Sequence, residues 1–287
     1  MFDSGDILLK SIYRKLAIVR ELVQLRDQNR QFGHDYFLST AIQREYYRQQ
    51  LLLSPRYAHA QHLFRFEAKY FSQNGEDGII REIFNRIGIT NSFFVEFGVG
   101  EGTENNTACL LFQNWCGLWV DANPQPRKQA RSFIKSGRLQ FHSGIVTRDN
   151  VNEILKQMKV PSDPDLLSID MDLNTYHIWQ AMEVIRPRAV VVEYNANFPP
   201  SVEWIADYNP PQFWDHTSYF GASLKSYEIL GTRLGYCLVG CDFMGVNAFF
   251  IRHDLCSGKF ISPYTSEMHY EPPRFGTAGF GHVIRLA

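Results

Sequence analysis

Four short stretches of this 287-residue chain place acids and glycines where ligand chemistry is done. The first is VEFGVGEG, Val95 to Gly102, in which Glu96 precedes glycines at 98, 100 and 102. Such glycines permit a tight turn and a close backbone approach to a ligand, and the next helix presents its free N–H groups. A dinucleotide fingerprint G-x-G-x-x-G would place glycine at 103, where this chain has Thr103. The second is WVDANP, with Asp121 about twenty residues beyond the glycines, the spacing of a carboxylate that receives ribose hydroxyls. Asp121 is equally placed to cap the helix that follows. Together they describe a pocket for a nucleoside-type cofactor.

The third and fourth stretches, SIDMD and VVVEYNANF, set Asp170 and Asp172, then Glu193, Asn195 and Asn197, at the ends of apolar runs. Buried acids gathered at one edge need a partner. A divalent cation such as Mg²⁺ is one, held by Asp172, Glu193 and Asn195 and able to acidify a substrate hydroxyl. Direct contact with cofactor or substrate, with Asp170 or Asp172 as general base, is another. Helix capping by Asp172 or Asn174 is the plainest alternative. Beyond them runs a long loop, Asn197 to Gly221, rich in rings: Trp204, Tyr208, Phe213, Trp214, Tyr219 and Phe220. Long loops at strand ends often form functional lids. His216 beside Asp215 is its candidate base, ahead of His142 and His177 elsewhere in the chain.

The elements that must position these residues alternate. Strands are predicted at Phe93–Phe97, Gly117–Asp121, Leu139–His142, Asp165–Asp170 and Ala189–Tyr194, with helices at Thr107–Asn114, Pro126–Ser136, Val151–Met158 and Tyr176–Ile185 between them. Unbroken apolar runs suit strands covered on both faces of a parallel sheet. A helix at Ser223–Leu234 and strands at Tyr236–Gly240 and Ala248–Arg252 around Met244-Gly245 predict an antiparallel edge hairpin. The fold class is α/β, doubly wound, with ligands at the carboxyl ends of its strands.

Residues 1–65 form a helical extension ahead of a domain at 66–287. Leu9, Ile12, Leu16, Val19 and Val23 make one apolar helical seam, for packing or for a homo-oligomer contact. A net charge of −1 argues against a nucleic-acid binder. No run nears the ~18 apolar residues of a membrane span. Five cysteines without CxxC spacing or a secretory signal suit a reduced, cytoplasmic protein.

VEFGVGEGTENNT, WVDANP and LLSIDMD, preceded by FSQNGEDGIIREIF, resemble class I S-adenosylmethionine-dependent methyltransferases, specifically the FkbM-like group, over about Phe71 to Leu255. The resemblance implies a Rossmann-like methyltransferase sheet. It also implies a cofactor loop at Glu96, Gly98 and Gly100, and a ribose carboxylate at Asp121. Ser72, Gln73 and Glu76 would lie over the methionine end, and Asp170 would pair with the cofactor's amino group or sulfonium. HSGIVT at the third strand end departs from the pattern by lacking an acid for the adenine amino group. Backbone near Gly144 to Val146 would serve instead. The implied acceptor is a small molecule or glycan, methylated on a sugar hydroxyl. The rival readings are a nicotinamide-dependent oxidoreductase, since a glycine turn with a ribose acid fits that cofactor too, and a non-catalytic assembly protein.

Overall fold

The computed structural model describes residues 39, 41–123, 130–210, 215 and 217–274. The chain divides into two compact units, Met1–Ser54 and Pro55–Ala287. The expected seam from Leu9 to Val23, and with it the expected self-association, lies outside the described residues, as does His216. In the first unit a helix runs over 41–52, tied along one side by Arg48 and Gln49 to Glu45. Residues 55–65, expected with the extension, belong to the second unit, where Tyr57, Leu63 and Phe64 are buried.

The second unit is built on one seven-stranded sheet. Its strands are β1 (Phe93–Phe97), β2 (Cys116–Asp121), β3 (Leu139–Ser143), β4 (Leu166–Ile169), β5 (Ala189–Glu193), β6 (Tyr236–Cys241) and β7 (Asn247–Arg252). Their spatial order is β3-β2-β1-β4-β5-β7-β6. The first five pair in parallel, and β7 pairs antiparallel with both β5 and β6. This is the mostly parallel, Rossmann-like sheet with an antiparallel edge hairpin that the sequence predicts. The order reverses at β1 and β4, whose carboxyl ends open a crevice for a ligand.

The helices are α1 (Glu76–Ile87), α2 (Ala108–Phe112), α3 (Ala130–Lys135), α4 (Val151–Gln157), α5 (Thr175–Ala181), α6 (Leu224–Leu234) and α7 (Ser266–His269). Two apolar layers cover the sheet. Val95, Phe97, Val120, Ile169 and Val192 face α4, α5 and α6, whereas Phe94, Trp119, Leu166 and Val191 face α1 and α2. Strand side chains alternate between faces, so Glu96 is directed into the same layer as Phe94. Among the described residues no helix is long and apolar enough to cross a membrane.

At the opposite, amino-terminal edge, Asp165 anchors the β4 entry. Its carboxylate accepts from the Asn91 and Ser92 N–H groups and from the Thr90 hydroxyl. Arg188 donates to it at 2.6 Å and also donates to the carbonyls of Ile87 and Gly88 that end α1. Burial acts to raise the Asp165 carboxyl, but the Arg188 and Thr90 hydrogen bonds outweigh it and hold the group below its usual range. Its stabilisation is therefore present above the ordinary carboxylate pKa and lost as pH falls through the lowered one. Arg188→Ala leaves a buried acid unpaired and should cost about 3–5 kcal/mol in urea unfolding. A loss below ~1 kcal/mol would contradict the anchor.

Candidate functional site

The site begins in the segment ahead of β1. Oδ2 of Asp77 accepts from the N–H groups of Tyr70, Phe71 and Ser72 and from the Ser72 hydroxyl, folding residues 70–76 back over the start of α1. Glu76, fully buried, accepts from the Asn74 and Gly75 N–H groups and from Nδ2 of Asn247 at 2.8 Å. Ser72 and Glu76, expected to lie over the cofactor, thus spend their side chains on this turn. Gln73, exposed, lines the cavity.

Glu96 is likewise engaged. It accepts from the Asn106 N–H at 2.9 Å, from Nδ2 of Asn105 at 3.3 Å, and from the Thr107 hydroxyl, which itself accepts from the Trp119 ring N–H. The acid of β1 thereby locks the entry to α2. Burial pushes its carboxyl up to about 7 despite these donors.

The glycine turn is left-handed at Gly98, Gly100 and Gly102, with φ of +79°, +51° and +76°. The two glycines nearest the strand act differently. A Cβ on Gly98 would overlap the Asp170 carbonyl oxygen, whereas one on Gly100 would meet open space. The Gly100 N–H donates to Oδ2 of Asp121 at 2.7 Å, and the Asn123 N–H donates to Oδ1 at 2.7 Å. Asp121 thus closes the loop. Each oxygen keeps a second lone pair for a ligand hydroxyl.

Two cavities flank this turn. One, of about 270 Å³, is lined by Gln73, Glu96, Glu104, Asn105, Asp170 and Asn247 among others. The other, of about 310 Å³, is lined by Asp121, Ala122, Ile145, Met171, Asp172 and Pro210 among others. Gly98, Gly100 and Asp170 border both. Ile145 stands where the sequence places backbone contacts in lieu of an adenine-binding acid.

Asp170, Asp172 and Glu193 each bring a carboxylate oxygen within 4.8 Å of the others. Asp172 adopts a left-handed backbone, φ +49°, uncommon outside glycine. Enclosure by the strand ends and the neighbouring Asp172 charge push the Asp170 carboxyl up, to about 6. Its side chain opens to the cleft, which relieves part of the enclosure and leaves like-charge repulsion as the firmer cause. Burial, then Asp170 and Asp172, raise Glu193 well above its usual range. With their carboxylate oxygens within 4.8 Å of one another, Asp170 and Glu193 titrate as a pair.

Asn195, expected beside Glu193 as a metal ligand, is directed elsewhere. Its Nδ2 donates to the carbonyls of Ser218 and Phe220, and its Oδ1 accepts from Asn197. The third carboxylate of the cluster is Asp170 instead. Of the expected aromatic wall, Phe213 and Trp214 lie outside the described residues. Phe198 stacks on Trp204 at 4.5 Å, Tyr219 meets Trp204 edge-on, and Phe220 is buried. Of that loop's described residues, Pro210 lines the second cavity. His177 is bonded to the Ala206 carbonyl at 2.8 Å. Asn105 and Asn247 were not singled out by sequence reasoning. The only sequence signal for Asn247 is a polar residue opening an apolar strand, and its meaning comes from pairing with Glu193 across β5 and β7.

No protein-family model matches the chain, and no curated protein matches it. Solved structures do match. An O-methyltransferase family protein from Burkholderia thailandensis is 11% identical, over 71% of this chain and 70% of that one, with TM-score 0.36. A Burkholderia thailandensis 1,6-didemethyltoxoflavin-N1-methyltransferase, solved with S-adenosylhomocysteine, is 13% identical over 60% and 74%, with TM-score 0.39. The pyocyanin biosynthetic protein PhzM is 16% identical over 60% of this chain, with TM-score 0.36; this chain spans 54% of its length. These are distant likenesses in fold.

Proposed function

We propose that the chain is an S-adenosylmethionine-dependent methyltransferase directed at a hydroxyl, with a sugar or glycan as acceptor. One observation carries this reading: two cavities lie on either side of Gly98, Gly100 and Asp170, which line both, with Asp121 in one and the oxygen-rich wall of Asn105 and Asn247 in the other. An elongated ligand with a ribose at one end and an amino-acid group at the other suits that shape. Bound there, the cofactor supplies an activated methyl group, and the protein's part is mostly positioning and proton removal. Asp121 receives ribose hydroxyls, and Gly98 and Gly100 allow close approach. Asp170, Asp172 and Glu193 hold the acceptor hydroxyl and take its proton. The glycan acceptor rests on the FkbM-like resemblance and on carboxylates suited to hydroxyls.

A second reading of the carboxylates has its own support. Three hard oxygen ligands within 4.8 Å fit a divalent cation, which would lower the pKa of a hydroxyl bound beside it. Asp170, Asp172 and Glu193 would hold it.

Isothermal titration with S-adenosylhomocysteine tests the proposal without knowledge of the acceptor. Micromolar binding is expected, weakened roughly tenfold or more in Asp121→Ala, the loss of a hydrogen bond to a charged group. Binding of NAD(H) in place of S-adenosylhomocysteine would overturn it in favour of a nicotinamide-dependent oxidoreductase. Binding of neither would favour an assembly role.

A further inference from the structure

Beside the acid-lined cavity the second unit carries an exposed row of rings. Phe71 stacks on Phe112 at 4.8 Å, and Phe112 meets Phe133 edge-on at 5.1 Å. Phe112 is 60% exposed, Phe71 38%, and Tyr70 next to it 58%. Single exposed rings are ordinary on a protein surface, whereas a contiguous run of them marks a contact. Phe71, Phe112 and Phe133 border a cavity of about 170 Å³ whose other walls include Ala108, Leu111, Ala130 and the Trp119 ring. The Trp119 N–H is already given to Thr107, so that ring offers the cavity hydrocarbon alone. Thr103, which also borders the acid-lined cavity, is the one hydroxyl-bearing residue on the lining. Such walls receive an apolar group and leave a polar one unsatisfied.

The charges set among the rings are positive. Arg81 lies over the Tyr70 ring at 5.8 Å and donates to its hydroxyl, and Arg138 lies over the Phe133 ring at 5.0 Å. Lys69 adjoins Tyr70, and Arg131 and Lys135 are exposed on α3, the helix that brings Ala130 and Phe133 to the cavity. Neither α2 nor α3 contains an acid. The acids flanking these segments are placed elsewhere: Asp77 is buried in its own turn, Glu82 pairs with Arg86, and Glu101 and Glu104 line the neighbouring cavity. The chain as a whole has a net charge of −1, so any pull on an anionic partner is local to this face.

We propose that this face docks on an anionic lipid bilayer. Tyr70, Phe71 and Phe112 sit at headgroup depth, the end of one acyl chain enters the cavity, and the lysines and arginines meet lipid phosphates. Amphipathic rings with neighbouring cations suit the headgroup region, and basic residues at a membrane surface are drawn to anionic lipids. A soluble apolar ligand would leave the cations unused, and a soluble anion would leave the exposed rings unused. A bilayer engages both. The docking is peripheral and does not depend on the S-adenosylmethionine reading.

Sedimentation of the full-length chain with lipid vesicles tests this. Vesicles of phosphatidylcholine with about one-third phosphatidylglycerol should bind it at least ~10-fold more tightly than phosphatidylcholine alone, and added salt should narrow the gap. Phe112→Ser, at an exposed position, should keep its Tm and weaken binding to the anionic vesicles at least ~10-fold. Arg131→Glu should weaken it at least ~5-fold. The full chain also carries the apolar residues Leu9 to Val23, and the two variants decide which surface binds. Equal affinity of the wild type for both vesicles overturns the proposal, as does wild-type affinity in either folded variant. A dimer seen by light scattering without lipid and lost in Phe112→Ser assigns the rings to a second copy and overturns it as well.

Discussion

Gly98→Ala is expected to unfold or severely destabilise the second unit, while Gly100→Ala is expected to fold and lose ligand affinity. The difference follows from what each missing Cβ would meet. At Gly98 the backbone is left-handed, φ +79°, and an added Cβ would overlap the Asp170 carbonyl oxygen. That carbonyl cannot retreat cheaply, because the Asp170 N–H is already bonded to the Phe97 carbonyl between β1 and β4. Left-handed strain alone costs about 1–3 kcal/mol in a non-glycine residue, and the overlap adds to it. A loss of at least ~3 kcal/mol in urea unfolding is therefore expected. Gly100 is also left-handed, φ +51°, but its Cβ would enter open space along both cavities. A larger side chain there, as in Gly100→Val, should occlude ligand while the sheet still forms. Equal stability losses at the two positions would contradict the assignment of packing to Gly98 and ligand approach to Gly100.

This contrast marks how far sequence could be read. The glycines, the strands and their alternation with helices are legible because two-sided burial imposes long apolar runs, and the parallel order follows from helices long enough to cross over. The strand at Ala189–Glu193 and the hairpin partner Asn247–Arg252 fall within a residue of their expected limits. What sequence cannot display is the partner that each polar residue chooses. Glu96 has the position of a ligand acid, yet it is consumed by Asn105, Asn106 and Thr107. Asn195 has the position of a metal ligand, yet it ties the following loop through Ser218 and Phe220. The aromatic loop reads as a lid, and among its described residues the Phe198, Trp204 and Tyr219 rings pack on one another. Asn247 acquires its place only when β7 turns antiparallel against β5 and brings it opposite Glu193. Each of these choices is made by contacts distant in sequence, which residue type and spacing do not encode.

The acid cluster carries the second large effect. On the proposed reading, Asp170→Asn or Glu193→Gln should lower kcat by about 10²–10⁴-fold, the usual contribution of a positioned acid or base. The pH profile identifies the cause. With Asp170 raised to about 6 and Glu193 raised well above its usual range, wild-type activity should climb as pH rises through about 6. Asp172→Asn preserves the left-handed turn, which asparagine tolerates, and removes a charge that acts on both neighbours. Its profile should shift toward acid. Stability moves with the same sign: groups whose folded pKa is raised favour the folded state at low pH, and that contribution is lost as pH rises through the folded value. Asp172→Asn should accordingly raise Tm at pH 8 and leave it nearly unchanged at pH 4. An unmoved profile and Tm would show that the three carboxylates do not act on one another. Mg²⁺ separates the two roles of the cluster, because a bound cation favours the ionised acids and draws the profile toward acid even in the wild type. A wild-type profile shifted by Mg²⁺ and restored by chelator assigns the cluster to a cation. One indifferent to both, yet shifted by Asp172→Asn, assigns it to the acceptor's proton.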